Sequence, residues 1–167
     1  MRRTLVLTAT VAVVVTACTG GVSNASERRA DIYSAVIRAV LGETSHPKIS
    51  SDTSVFVGAG RERSTINLEV QADIVDELHE LATIRFVDRR VEAIDDSNPN
   101  RPVKDNGVLI TLGKIPSGAN TVAVNAGRYL NAVDTDAYRV TLKRTKRQWN
   151  PIATASVPCR DLRTPIC

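Results

Sequence analysis

The stretch from Gly107 to Val157 limits most strongly what this chain can fold into. Val108, Ile110 and Leu112 alternate with Thr111 and Gly113. Val122, Val124 and Ala126 repeat the pattern around Asn125, and Tyr138, Val140 and Leu142 repeat it around Arg139, Thr141 and Lys143. Apolar residues at period two belong to strands of a sheet with one buried and one wetter face. The breaks between the runs predict turns at Pro116–Asn120, Asp134–Ala137 and Arg144–Arg147. Gly127 interrupts a strand and predicts a bulge. Trp149 opens the last strand, and Pro151 predicts that this strand is an edge or is irregular, because proline cannot donate to a ladder.

The segments before the ladder read as its cover. Ala30, Tyr33, Ile37, Val40 and Leu41 recur at helical spacing and predict a helix over Glu27–Leu41. Ser26 is the expected N-cap and Gly42 the C-cap residue. Val55–Val57 is a short strand. Val70, Ile74, Leu78 and Leu81 mark a second helix over Leu68–Leu81, capped by Asn67. Ile84–Val87 is a strand, expected to continue through Val91 and Ile94. Asp95–Asn106, rich in Asp, Asn and Pro, reads as an exposed loop inserted before the ladder.

These elements imply a single α+β domain over residues 26–167, with two helices on one face of a mostly antiparallel, curved sheet of about five to six strands. Tyr33, Ile37, Val40, Leu41, Val70, Ile74 and Leu78 should form one layer against Val108, Ile110, Val124, Val140 and Leu142. Helix-first order with a closing Tyr138-x-Val140-x-Leu142…Trp149 hairpin resembles the NTF2-like α+β superfamily, although the strand Val55–Val57 between the helices departs from its order. That resemblance implies a fold and carries no site residue, since function resides in sites and not in folds.

The N-terminus reads differently. Arg2 and Arg3 precede an apolar run, Leu5–Val15, too short to span a bilayer comfortably. Small residues follow, the pattern of a secretory signal peptide. The segment Val15-Thr16-Ala17-Cys18 resembles the lipobox of bacterial lipoproteins, with Val15 in place of the usual Leu. The resemblance implies cleavage before Cys18, a lipid on Cys18, and attachment to a membrane of the cell envelope. Thr19–Ala25, small and polar, reads as a tether.

Loss of Arg2 and Arg3 lowers the net charge from +4 to +2, which offers little overall field to steer a polyanion. With export and six aromatic residues in all, nucleic acid is not an expected partner. The other two cysteines, Cys159 and Cys167, sit in an exported tail and predict a disulfide. Closing that loop would contribute about 2–3 kcal/mol by chain entropy. A zinc site lacks further cysteines, and His46 and His79 are not at finger spacing.

Four constellations merit comparison with chemistry. Asp73, Asp76, Glu77, His79 and Glu80 cluster on the second helix, but no second His follows at metalloprotease spacing, so they read as a solvated acidic face. Gly58-Ala59-Gly60 follows a strand, yet Arg63 stands where a nucleotide loop needs its third glycine, and no acidic residue is expected at the end of a second parallel strand. Arg61 and Arg63 read as solvated loop charges. His46 and His79 neighbour no nucleophile elbow, leaving only distant carboxylates such as Asp88 and Asp134. Lys143, Arg144, Lys146 and Arg147 form a dense basic patch at a hairpin tip. Such charges discourage edge pairing and suit an anionic surface. No catalytic residue, metal or cofactor is expected. The chain reads as an envelope lipoprotein carrying a non-catalytic interaction module, its partner an envelope polymer or another envelope protein. The alternative is a small-molecule binder or small enzyme with a pocket between helices and sheet.

Overall fold

A computed structural model describes residues 20–43, 48–59, 66–118 and 120–158. Two helices, α1 (Gly20–Gly42) and α2 (Leu68–Leu78), cover one face of a six-stranded sheet. The strands are β1 (Ser54–Ala59), β2 (Thr83–Val87), β3 (Val108–Leu112), β4 (Thr121–Tyr129), β5 (Thr135–Thr145) and β6 (Gln148–Ser156), and their order across the sheet is β2-β1-β3-β4-β5-β6. The α+β expectation holds, with one refinement. β1 runs parallel to both β2 and β3, and only the pairs from β3 to β6 are antiparallel.

The helices form for the reasons the spacing suggested. Asn67 caps α2 by accepting from the Val70 amide at 3.0 Å, and Val70, Ile74 and Leu78 are fully buried along one stripe. α2 stops three residues short of Leu81, whose amide turns back onto the Leu78 carbonyl at 2.9 Å. α1 begins earlier than expected. The residues read as a tether from Gly20 on belong to the helix, which contains no proline to stop it. Ser26 is no cap. Its hydroxyl is buried inside α1 and donates to Glu69 Oε2 at 2.8 Å, clamping α1 to the first turn of α2.

The predicted layer is present. Ile37, Val40, Val70, Ile74, Leu78, Val108, Ile110, Val124, Val140 and Leu142 are all 0% exposed, and they form one continuous cluster with Tyr33 and Leu41. Each such side chain contributes about 1.5–3 kcal/mol through burial.

The opposite face corrects the reading of Asp95–Asn106 as an exposed insertion. β2 ends at Val87 rather than running on through Val91 and Ile94, and a 3-10 turn follows at Arg90–Glu92. Ile94 then bridges Val103. Ala93, Ile94 and Val103 are buried in a second, smaller core with Phe56, Leu109 and Tyr129. The tip of the loop stays wet, but its two stems cover the back of β1 and β3. Consequently Leu109 and Thr111 are buried too, and β3 has no wet face. Gly107 lets the covering segment rejoin the sheet, since a Cβ there would meet the Ser54 carbonyl oxygen at 2.3 Å.

Three smaller expectations are corrected. Gly127 pairs in register with Thr111 and Ala137, and the irregularity lies instead between Thr141 and Leu142, opposite Ala153 and Pro151. Pro151 thus sits at a bulge of the edge strand β6, where its missing N–H is tolerated. The second turn precedes Asp134: the Asn131 side chain accepts from the amides of Val133 and Asp134, both at 3.0 Å, an Asx turn that lets β5 start at Thr135. The third turn is only Lys146-Arg147, because Arg144 and Thr145 still pair with Trp149 and Gln148.

Candidate functional site

Two clefts lie on either side of α1. Toward β6, a cleft of about 620 Å³ lies between Glu27, Asp31, Arg38 and Glu77 and the start of β6 from Arg147 to Pro151. Burial pushes the Asp31 carboxyl above the ordinary carboxylate value, and the charges of Glu77 and Glu27 push it further, while Arg144 opposes them. A carboxyl of this kind needs a partner base or nucleophile to do acid–base chemistry, and the lining supplies no histidine, cysteine or serine.

Toward β4, a wider cleft of about 870 Å³ is lined by Arg28, Arg29, Tyr33, Lys114 and Asn125. Its charged lining is all cationic. Burial raises the Tyr33 hydroxyl, with Arg29 acting against it, and that hydroxyl donates to the Gly113 carbonyl at 3.3 Å. Arg28 crosses between the clefts: its Nη2 donates to the Gly118 carbonyl at 2.7 Å and its guanidinium lies 5.3 Å from the centre of the Trp149 ring.

The other sequence candidates separate. Asp73 and Asp76 are exposed on α2, His79 and Glu80 are exposed in the turn just past its end rather than on the helix, and Glu77 faces Arg38 at 3.5 Å. Among the described residues no group of three or more His, Cys, Asp or Glu could hold a metal ion. Asp88 follows β2 and Asp134 precedes β5, so three intervening strands keep them apart. β2 does run parallel to β1 and is followed by Asp88, contrary to the expectation that no acidic residue ends such a strand. Gly60, Arg61 and Arg63, His46, and the three cysteines Cys18, Cys159 and Cys167 lie outside the described residues.

Two features escaped the sequence reading. One is the Arg128 cluster. Arg128, a buried residue of β4, pairs with Asp136 and, at 2.9 Å, with Asp134, and Tyr138 also reaches Asp136. Its spacing was the signal, since Arg128 continues the Val122, Val124, Ala126 face onto the buried side. It closes the foot of the core as an ion pair. The other is that Arg28, Arg29 and Lys114 stand beside the hairpin patch, which only the fold brings about. Comparison with protein-family models, with curated proteins and with solved structures gives no match.

Proposed function

We propose that this chain is a lipid-anchored lipoprotein of the cell envelope whose folded domain is a non-catalytic interaction module. The observation that carries the reading is the succession of Arg2-Arg3, an apolar run and Val15-Thr16-Ala17-Cys18, the order a lipoprotein signal requires. Among the described residues no helix is long and apolar enough to cross a membrane, so the lipid on Cys18 is the attachment proposed. The filled layer between helices and sheet favours an interaction module over a small-molecule pocket in that place. Neither cleft beside α1 brings a nucleophile to a base. Cys159 and Cys167 form the one disulfide of the mature chain in this reading.

Intact-mass analysis of the protein recovered from bacterial membranes tests both covalent features. The expected species starts at Cys18, carries acyl groups there, and gains two hydrogens on reduction. An unmodified N-terminus, or a Cys18→Ser chain that stays membrane-bound at high salt, overturns the anchor. An unchanged mass on reduction overturns the disulfide alone.

A further inference from the structure

We infer that the end of the domain from which α1 emerges is a docking surface for anionic phospholipid headgroups, formed by Arg28, Arg29, Lys114, Lys143, Lys146 and Arg147. The inference rests on the lipid-anchor reading, which sets the membrane at the start of α1.

Three separate elements bring these cations together. Arg28 and Arg29 come from α1, Lys114 from the β3–β4 connection, and the rest from the β5–β6 hairpin. Arg28 ties α1 to Gly118 and Trp149. The Arg144 amide donates to the Asn120 carbonyl at 2.8 Å, which ties the hairpin to the connection. β5 runs antiparallel to α1: Tyr138 feels the charge of Glu43 beyond the end of α1, and Arg144 that of Asp31 at its midpoint. The hairpin tip therefore points the way α1 begins. Arg28 is about 12 Å along the helix from Gly20, its first residue. The tip reaches about 7 Å past Trp149 in the same direction. Lys146 and Arg147 are then about 5 Å short of the level of Gly20, within one Debye length in physiological salt.

Charge is distributed unevenly over the molecule. Arg85, Arg89, Arg101 and Arg128 are held in ion pairs with Asp105, Glu92, Asp96 and the Asp134–Asp136 pair. Among the described residues Lys114, Lys143, Lys146 and Arg147 form none, and neither do Lys48, Lys104 and Arg139, which are scattered over the rest of the surface. Glu27 and Asp31 sit on the flank facing β6, where the Asp31 charge acts on Arg144, which is left out of the surface; Arg147 borders the same cleft but forms no ion pair there. The net charge of the mature chain is small, so the attraction is local and not a property of the whole protein.

The turn itself points the same way. Lys146 and Arg147 both adopt positive φ, 50° and 72°. A two-residue hairpin turn of this shape is best made by Asn-Gly. Side chains with a Cβ are strained there, yet both positions carry a long cation. Strain retained at an exposed tip is a mark of use. A lipid alone leaves a domain free to tumble at the surface, whereas a ring of cations beside it fixes which end faces the leaflet.

The test uses the chain from residue 18 with Cys18→Ser; among the residues whose burial is described, Ser26 is the first buried one. Partition is measured by co-sedimentation with vesicles of phosphatidylcholine, with or without phosphatidylglycerol. Binding is expected only with phosphatidylglycerol and should be lost at high salt. Lys146→Asn with Arg147→Gly removes two charges and supplies the favoured turn, so its melting temperature should rise while its partition falls about 25-fold, or about fivefold per charge. Arg101→Gln, which removes a paired cation elsewhere, should leave partition unchanged. Indifference to phosphatidylglycerol, full binding by the double variant, an equal loss in Arg101→Gln, or a preference for soluble polygalacturonate over the vesicles each overturns the inference. An unacylated Cys18 would overturn the anchor and leave the vesicle result standing; vesicles that ignore phosphatidylglycerol would do the reverse.

Discussion

The two halves of the sheet are covered differently. In the half formed by β2, β1 and β3, helices lie on one side and the Asp88–Gly107 segment on the other, so Val57 and Phe56, neighbours in β1, are both buried in different cores. In the half formed by β5 and β6, only the helix side is covered. Tyr138, Val140 and Leu142 are buried while Arg139 and Lys143 are exposed. The parallel pairs sit in the doubly covered half, as they do generally, because crossover connections and long loops must pack against a face. Hydrophobic alternation therefore reports the covered side and does not exclude cover on the other. In β3 the alternation of Val108, Ile110 and Leu112 marks the helix side correctly, but the wetter face it predicted is absent, because Leu109 and Thr111 are buried as well.

The largest effects should come from neighbouring positions that the comparison treats differently. In β3, Ile110→Ala on the helix side and Leu109→Ala on the loop side remove side chains at 0% and 1% exposure. Each should destabilise the domain by about 2–5 kcal/mol in urea unfolding. In β5, Leu142→Ala should do the same, whereas Thr141→Ala should stay within about 0.5 kcal/mol. A mild Leu109→Ala would mean that the Asp88–Gly107 segment does not cover the sheet, and the two halves would then be alike.

The one-sided half was the legible half. Val122, Val124, Tyr138, Val140 and Leu142 announced their face in sequence, and the helical stripes of α1 and α2 announced theirs. The doubly covered half was not legible, because its second cover is made of irregular backbone. Ala93, Ile94 and Val103 are too few and too unevenly spaced to show a period, and the polar tip between them, Asp95 to Arg101, dominates the composition. The start of α1 was missed for a related reason: Gly20 to Ala25 carries no apolar stripe, and Ser26 suits a cap as well as it suits a buried hydroxyl. The candidate surface was half visible. Lys143, Lys146 and Arg147 cluster in the chain, but Arg28, Arg29 and Lys114 join them only through topology.

Arg128 sharpens the comparison at its boundary. It lies in β4, between the two halves, on the helix side but opposite Asp136. Removing the cation by Arg128→Ala leaves Asp134 and Asp136 facing a half-closed core. Their side chains are 42% and 39% exposed, so water relieves part of the penalty. A loss of about 1–3 kcal/mol is expected, below the 3–5 kcal/mol typical of a fully buried broken pair. Arg128→Met should lose less, because it refills the volume without demanding a partner. If Met proves as costly as Ala, the ion pair and not the packing closes the core at this point.

The smallest effect concerns Asp31, on the flank of α1 that faces the singly covered half. Its carboxyl is raised above 3.8 by burial first, then by Glu77 and Glu27. The folded protein thus holds this proton more tightly than the unfolded chain does. Where the unfolded state has released the proton and the folded state has not, stability falls as pH rises, and above the folded value the whole penalty persists. Asp31→Asn removes the penalty. Because the site is partly open to solvent, the gain at neutral pH should be below about 1 kcal/mol, and it should vanish as pH drops through the ordinary carboxylate range. Glu77→Gln should reduce that gain, since Glu77 is the largest charge acting on Asp31, whereas Arg144→Gln should enlarge it. Urea unfolding of the parent, Glu77→Gln and Arg144→Gln chains, each with and without Asp31→Asn, at neutral and acidic pH reads all of this at once. A gain that persists unchanged in acid would show that Asn improves packing at this position and that the Asp31 charge has no influence on how α1 sits against β6.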